Sequence, residues 1–291
     1  MADESTPEIR GLLIHVTHYD PIWYKVKEEE KPFDADVAIE VIEAAAEGGL
    51  NLLVVDCADG VKYASHPELE RHYTVPMETL RPVIARAGEL GLELVPKLNF
   101  SQSRYHHHND WFRPHHELFD SDEYWKLAFE IVDELIEEMK PPRFFHIGMD
   151  EDHDRSHRQY NAAIWRAHDE LKSRGLRTVI WNDSVCKDHP RAEHHAEKSM
   201  QAEADIPKDL VEVVWNYSRP APEDVERLIA LGFEVWGGPG RDTEQVRAWR
   251  DDILRLGGKG LLLTRWVPMV ADNRDELVGM MKELAPVTKG G

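Results

Sequence analysis

Cysteine is nearly absent: Cys57 and Cys186 are the two in 291 residues. They are too few for a disulfide framework, and both read as free thiols close to strand ends. No stretch approaches the roughly 20 consecutive apolar residues of a membrane span. The first residues carry neither a basic start nor an apolar run, so no secretory signal is read there. The expected location is the cytoplasm, or outside the cell if this is the mature form of an exported protein. Positive charge is also scarce, with 35 Lys and Arg against 55 Asp and Glu and a formal charge of -20. Nucleic acid and anionic membrane carry that same sign, so neither is expected as a partner. No glycine-rich phosphate fingerprint follows the first predicted strand, which argues against an open dinucleotide-binding sheet.

What the chain does contain is a repeated grammar of helix, glycine stop and short Val/Leu/Ile-rich strand. Strands are predicted over 11–16, 50–56, 92–98, 143–151, 177–181, 210–215, 233–236 and 260–264. Helices fall between them, and the polar stretch between the fifth and sixth strands reads as a loop. Such alternation implies a parallel sheet with right-handed crossovers, and eight units imply closure. The predicted fold is α/β, a single-domain (β/α)8 TIM barrel over 11–287, with a flexible segment at 1–10 and a tail at 288–291. About 250 residues is the usual size of such a barrel.

In a closed barrel the active site collects at the carboxyl ends of the strands. Those ends carry Asp56 with Asp59, then Lys97 and Asn99, then Asp150 and Glu151. They continue with Trp181 and Asp183, Trp215 and Tyr217, Trp236, and finally Arg265 and Trp266. A long His-rich loop holding His106 to His108 follows the third strand. In the fourth strand, strict alternation sets Phe145, Ile147 and Met149 on an apolar face and His146, Gly148 and Asp150 on the other. Two carboxylates at such a position can be driven apart in pKa by burial and like charge, which is acid/base equipment. Four of the nine tryptophans fall at strand ends, where indole faces stack on the C–H faces of sugars.

The segment His146-Ile-Gly-Met-Asp150-Glu151 resembles the His-x-Gly-Gly-Asp-Glu motif of family 20 glycoside hydrolases, the β-N-acetylhexosaminidases, carried on the fourth strand of a catalytic barrel. The segment from Val95 through His108 to Trp111 is similar to the third-strand region of that family. The chain departs from the pattern at Met149, where the family has a second glycine, and at Lys97, where it has an acid. No arginine occupies the sugar-holding position on the first strand, and Val267-Pro268 stands where an acidic residue follows the last tryptophan.

The resemblance implies substrate-assisted retaining hydrolysis of a glycoside containing an N-acetylated amino sugar, with no cofactor and no metal. Glu151 would protonate the glycosidic oxygen, and Asp150 would orient the substrate's own 2-acetamido group as nucleophile. His146, Asp56, Asn99, His108, Trp181, Asp183, Trp215, Tyr217, Trp236, Arg265 and Trp266 would contact the sugar.

Three other readings stand beside this one. Asp150 and Glu151 could cap the following helix. The histidines at 106–108, 115–116 and 194–195, with Asp152, His153, Asp154 and His157, could hold zinc or manganese for metal-dependent chemistry. The barrel could also bind a sugar without catalysis.

Overall fold

A computed structural model describes residues 5–17, 29–103, 110–188 and 194–290. Eight strands form a closed parallel barrel in chain order. They are β1 (Ile9–His15), β2 (Leu52–Asp56), β3 (Glu93–Lys97), β4 (Phe144–His146), β5 (Arg177–Asn182), β6 (Val211–Trp215), β7 (Glu234–Gly238) and β8 (Gly260–Pro268). Pairing of β8 with β1 completes the ring. Around it stand α1 (Ala35–Gly48), α2 (Arg81–Glu89), α3 (Asp122–Met139), α4 (His157–Ser173), α5 (His194–Ala202), α6 (Pro222–Ala230), α7 (Thr243–Leu256) and α8 (Arg274–Leu284). Among the described residues no helix is long and apolar enough to cross a membrane.

Local chemistry starts and stops these elements. Asp34 accepts the N–H groups of Asp36 and Val37 at the start of α1, and Gly49 ends it at φ 97°, a conformation only glycine enters without strain. Ser156 and Gln159 cap α4 reciprocally, each side chain taking the other's backbone N–H. Alternation along the strands divides the core in two. Ile9, Leu13, Leu52, Val54, Val95, Phe144, Val179, Val211, Val213 and Leu262 fill the barrel interior. Leu12, Ile14, Leu53, Val55, Phe145, Ile147, Ile180, Val214, Leu261 and Leu263 pack outward against the helices. Two-sided burial of this kind is why the strands read as nearly continuous apolar runs.

The barrel is as predicted, but several boundaries are not. β1 opens at Ile9, two residues early. β4 is only three residues long, because the chain turns sharply after His146. β7 continues past Trp236 to Gly238, and β8 continues past Thr264 to Pro268. The stretch read as a polar loop contains α5, whose buried face is His195, Ala196, Lys198, Ser199 and Ala202. No apolar periodicity marks such a helix.

Candidate active site

The turn after β4 builds the centre of the barrel mouth. Gly148, Met149 and Glu151 all have positive φ, at 72°, 77° and 51°, so the regular alternation stops as the carboxylates are delivered. Gly148 has a second reason to be glycine: a Cβ there would lie 2.3 Å from Asn99 Oδ1. Met149 occupies left-handed backbone at the place where the resembling motif has its second glycine. That conformation costs a non-glycine residue on the order of 1–2 kcal/mol. Beneath the turn, fully buried His146 accepts the Gly148 N–H on Nδ1 at 3.0 Å, which leaves its proton on Nε2. Burial and the charge of Lys97 hold this imidazole well below the ordinary histidine range, so it is neutral.

Asn99, two residues past the end of β3, is the hub of the turn. Its Nδ2 donates to Asp150 Oδ1 at 2.7 Å. Its Oδ1 accepts from Ser101 N at 3.0 Å, Ser101 Oγ at 2.6 Å and Met149 N at 3.3 Å. Its carbonyl takes the Trp111 indole N–H at 2.8 Å. Asp150 is thus buried and fixed by a neutral amide. Beyond it, half-buried Glu151 donates its N–H to Asp183 Oδ2 at 2.6 Å, and the Trp215 indole N–H reaches Asp183 Oδ1 at 2.9 Å. Burial, then the charges of Asp150 and Glu151, push the Asp183 carboxyl well above its usual range.

Aromatic rings line the same mouth. Trp215 and Trp266 are half-buried. The Trp266 indole N–H donates to Tyr217 Oη at 2.7 Å, and the Trp215 and Tyr217 rings stand 5.4 Å apart. The Arg241 guanidinium lies 4.9 Å over the Tyr217 ring. Trp181 is 1% exposed and sits a layer lower, with its ring 4.9 Å from His146 and 6.0 Å from Trp266. It supports the mouth from below.

Asp56 is equally a strand-end carboxylate, but its surroundings differ. His15, Asp56, Lys97 and His146 are register neighbours across β1 to β4, and all four are 2% exposed or less. Lys97 Nζ stands 2.5 Å from Asp56 Oδ2, and His15 Nδ1 is 3.2 Å from the same oxygen. Burial works against the charge, but Lys97 and then His15 outweigh it and hold the Asp56 carboxyl at about 2. Lys97, noted in the sequence as a departure from the family acid, is therefore the counter-ion of Asp56.

Two predicted site residues are not brought to the mouth. Trp236 pairs with Gly260, the first residue of β8, and packs edge-on to Phe144, the first residue of β4. It lies in the floor of the barrel because β7 continues beyond it. Arg265 shares the outward face of Leu261 and Leu263, and its guanidinium bonds Glu276 on α8. His108 lies outside the described residues, as do His106 and His107.

The capping alternative fails, since α4 begins at His157 behind its own Ser156 cap. The carboxylate of Asp152 is taken by Arg155 at 2.7 Å, Lys198 at 2.6 Å and the Gln102 N–H at 2.8 Å. It is a buried structural hub that leaves no anionic oxygen aimed at a metal. Sequence reasoning missed this hub and also Arg241; the second follows from ending the seventh strand early, which hid the loop that carries it.

The fold and the site together define a (β/α)8 barrel with a carboxylate pair and an aromatic rim at its carboxyl end. No protein-family model matches the chain, and no curated protein matches it. Solved structures do. A β-hexosaminidase from Streptomyces plicatus in complex with its product GlcNAc aligns with a TM-score of 0.69 at 14% identity, over 98% of this chain and 64% of that one. A β-N-acetylhexosaminidase from Bacteroides fragilis aligns at 0.65 and 14%, over 96% and 66%. Dispersin B aligns at 0.62 and 16%, over 97% and 99%. The chain therefore spans about two thirds of the first two and nearly all of the third. At such identities the likeness establishes a shared barrel fold.

Proposed function

We propose that the chain is a glycoside hydrolase that cleaves β-N-acetylhexosaminides by substrate-assisted, retaining hydrolysis. One observation carries this reading: Asp150 and Glu151 emerge together from the end of β4, with Asp150 tied to a neutral amide and both beneath an aromatic rim. The barrels on which the chain superposes include proteins described as β-N-acetylhexosaminidases, and this supports the choice of substrate class.

Glu151 protonates the glycosidic oxygen and afterwards takes a proton from water. The substrate's acetamido oxygen attacks the anomeric carbon, so no enzyme nucleophile is required. Asp150 accepts the acetamido N–H and stabilises the positive charge that develops, and Asn99 keeps it in place. Tyr217 Oη already accepts the Trp266 N–H, which leaves its own proton to donate to the acetamido oxygen. Trp215 and Trp266 offer stacking faces to the sugar ring.

The test is release of 4-nitrophenol from the β-N-acetylglucosaminide and β-N-acetylgalactosaminide, set against the plain β-glucoside, which has a hydroxyl in place of the acetamido group. Turnover of an acetamido substrate with none of the glucoside is expected. Equal turnover of the glucoside would remove the acetamido step, and failure on both acetamido sugars would remove the substrate class.

A further inference from the structure

A second cluster lies away from the carboxylate pair, on the flank of the barrel mouth above α3. His66 and Glu68 belong to the loop after β2, and His115 to the 3-10 segment Asp110–Leu118 that follows β3. His66 Nδ1 is 2.8 Å from Glu68 Oε1, and His115 Nε2 is 2.8 Å from that same oxygen. One ligand atom from each of the three residues falls within 4.8 Å of the others, and this is the one such group among the described residues. The other nitrogen of His66, Nε2, is 3.1 Å from Glu130 Oε2 on α3.

His66 is 4% exposed and faces a carboxylate from each ring nitrogen. A cation between the three ligand atoms fits this geometry, with His66 Nδ1 turned to the metal and Nε2–H donating to Glu130 behind it. A carboxylate behind a ligating histidine is the usual arrangement around protein-bound metals, because it fixes both tautomer and ring orientation.

We propose that His66, Glu68 and His115 bind one divalent transition-metal ion of the zinc class, which clamps the loops after β2 and β3 together. Two imidazoles and one carboxylate suit zinc or its first-row neighbours better than calcium or magnesium, which take oxygen ligands. Bonds of about 2.0–2.2 Å at tetrahedral angles set ligand atoms about 3.3 Å apart. The pairs now at 2.8 Å therefore part by about half an ångström. Water takes the fourth position on the side where Glu68 is 41% exposed.

The surroundings are already anchored for this role. Ala64 N and Ser65 N each donate to the Glu134 carboxylate at 2.7 Å, and the Phe112 ring stands 4.7 Å from that of His115. The clamp also bears on the mouth, since the segment holding His115 carries Trp111, whose indole bonds the carbonyl of Asn99. The ion is structural and stands outside the hydrolytic steps proposed above, on which this inference does not depend.

The test uses the full chain freed of metal by dialysis and titrated with Co²⁺ and then Zn²⁺ alone. The expected result is one equivalent bound, with the intense visible absorption of four-coordinate Co²⁺ bleached by Zn²⁺. Zinc at about a hundredfold its Kd should raise the melting temperature by roughly 5 °C. His115→Ala and Glu68→Gln should each lose the absorption and the thermal shift while melting, without metal, close to the wild-type temperature. If His115→Ala does not fold, Glu68→Gln decides alone, since the Glu68 side chain is partly in solvent. Absence of the Co²⁺ band in the wild type, or uptake and shift undiminished in a folded variant, overturns the proposal.

Discussion

Asp56 and Asp150 occupy similar places, one at the end of β2 and one just past the end of β4, yet the barrel treats them in opposite ways. Asp56 meets a buried ammonium at 2.5 Å, whereas Asp150 meets the amide of Asn99 at 2.7 Å. An ammonium cancels the carboxylate charge, and an amide orients it while leaving the charge to act on a ligand. Position at a strand end is therefore not enough to make a functional acid. The nearest counter-group decides whether the carboxylate is cancelled within the fold or, in the function proposed above, available to a substrate.

The largest effect on the Asp56 side comes from Lys97→Met. It strands a buried carboxylate and should cost about 3–5 kcal/mol, read from the midpoint of urea unfolding. Adding Asp56→Leu should recover most of that loss, because an apolar pair replaces an ion pair without leaving a charge behind. A single variant that loses less than about 1 kcal/mol, the range of an exposed pair, would show that the two groups are not coupled as described.

On the Asp150 side, Asn99→Ala removes the orienting donor together with the acceptor used by Ser101 and Met149. It should lower kcat by about tenfold to a hundredfold and destabilise by about 2 kcal/mol, because buried polar groups lose their partners. Steady-state kinetics and thermal melts on one preparation separate the two losses. Unchanged kcat would deny Asn99 its positioning role.

Acid sharpens the same comparison. The Asp56 carboxyl is held at about 2 in the fold, below its ordinary value of about 3.9. A depressed acid stabilises the fold fully above its unfolded pKa, and that contribution fades as pH falls through the window toward 2. The loss should be about 2 kcal/mol. Urea titrations at pH 5 and pH 2.5 should show the wild type losing this increment and the Lys97→Met/Asp56→Leu double variant lacking it. Smallest of all is Arg265→Ala, which breaks a partly exposed pair with Glu276 on the outer wall. Less than about 1 kcal/mol of stability and no more than a twofold change in kcat/KM are expected.

The barrel was legible because eight repeats of helix, stop and apolar strand leave few other ways to bury both faces of a parallel sheet. The place of Asp150 and Glu151 just past the fourth strand was legible from the order of elements, and alternation placed Phe145, Ile147 and His146 on their proper faces. Trp236 was misplaced because Gly237-Gly238 reads as a stop. In the fold Gly237 continues β7, and it is small because the Trp249 ring of α7 packs against it: an added Cβ would come within 2.5 Å of that ring. For Arg265 the needed signal was present, since Leu261, Leu263 and Arg265 share one face once β8 is allowed its full length. The neutralisation of Asp56 was not readable, because it depends on the register that sets Asp56 beside Lys97 across 41 residues of chain. Nor was the His66–Glu68–His115 group, whose members meet only when two loops fold onto α3.

The most direct test of the account compares wild type with Asp150→Asn and Glu151→Gln on the 4-nitrophenyl β-N-acetylhexosaminide that the wild type hydrolyses faster, with melting temperatures taken on the same samples. Each substitution should lower kcat by about 10²–10³ or more and move the melting temperature by only a few degrees, since each keeps the shape while Asp150→Asn removes a charge and Glu151→Gln the proton to be transferred. A folded variant of either residue that hydrolyses the substrate at the wild-type rate would contradict the assignment of this pair as the catalytic acids.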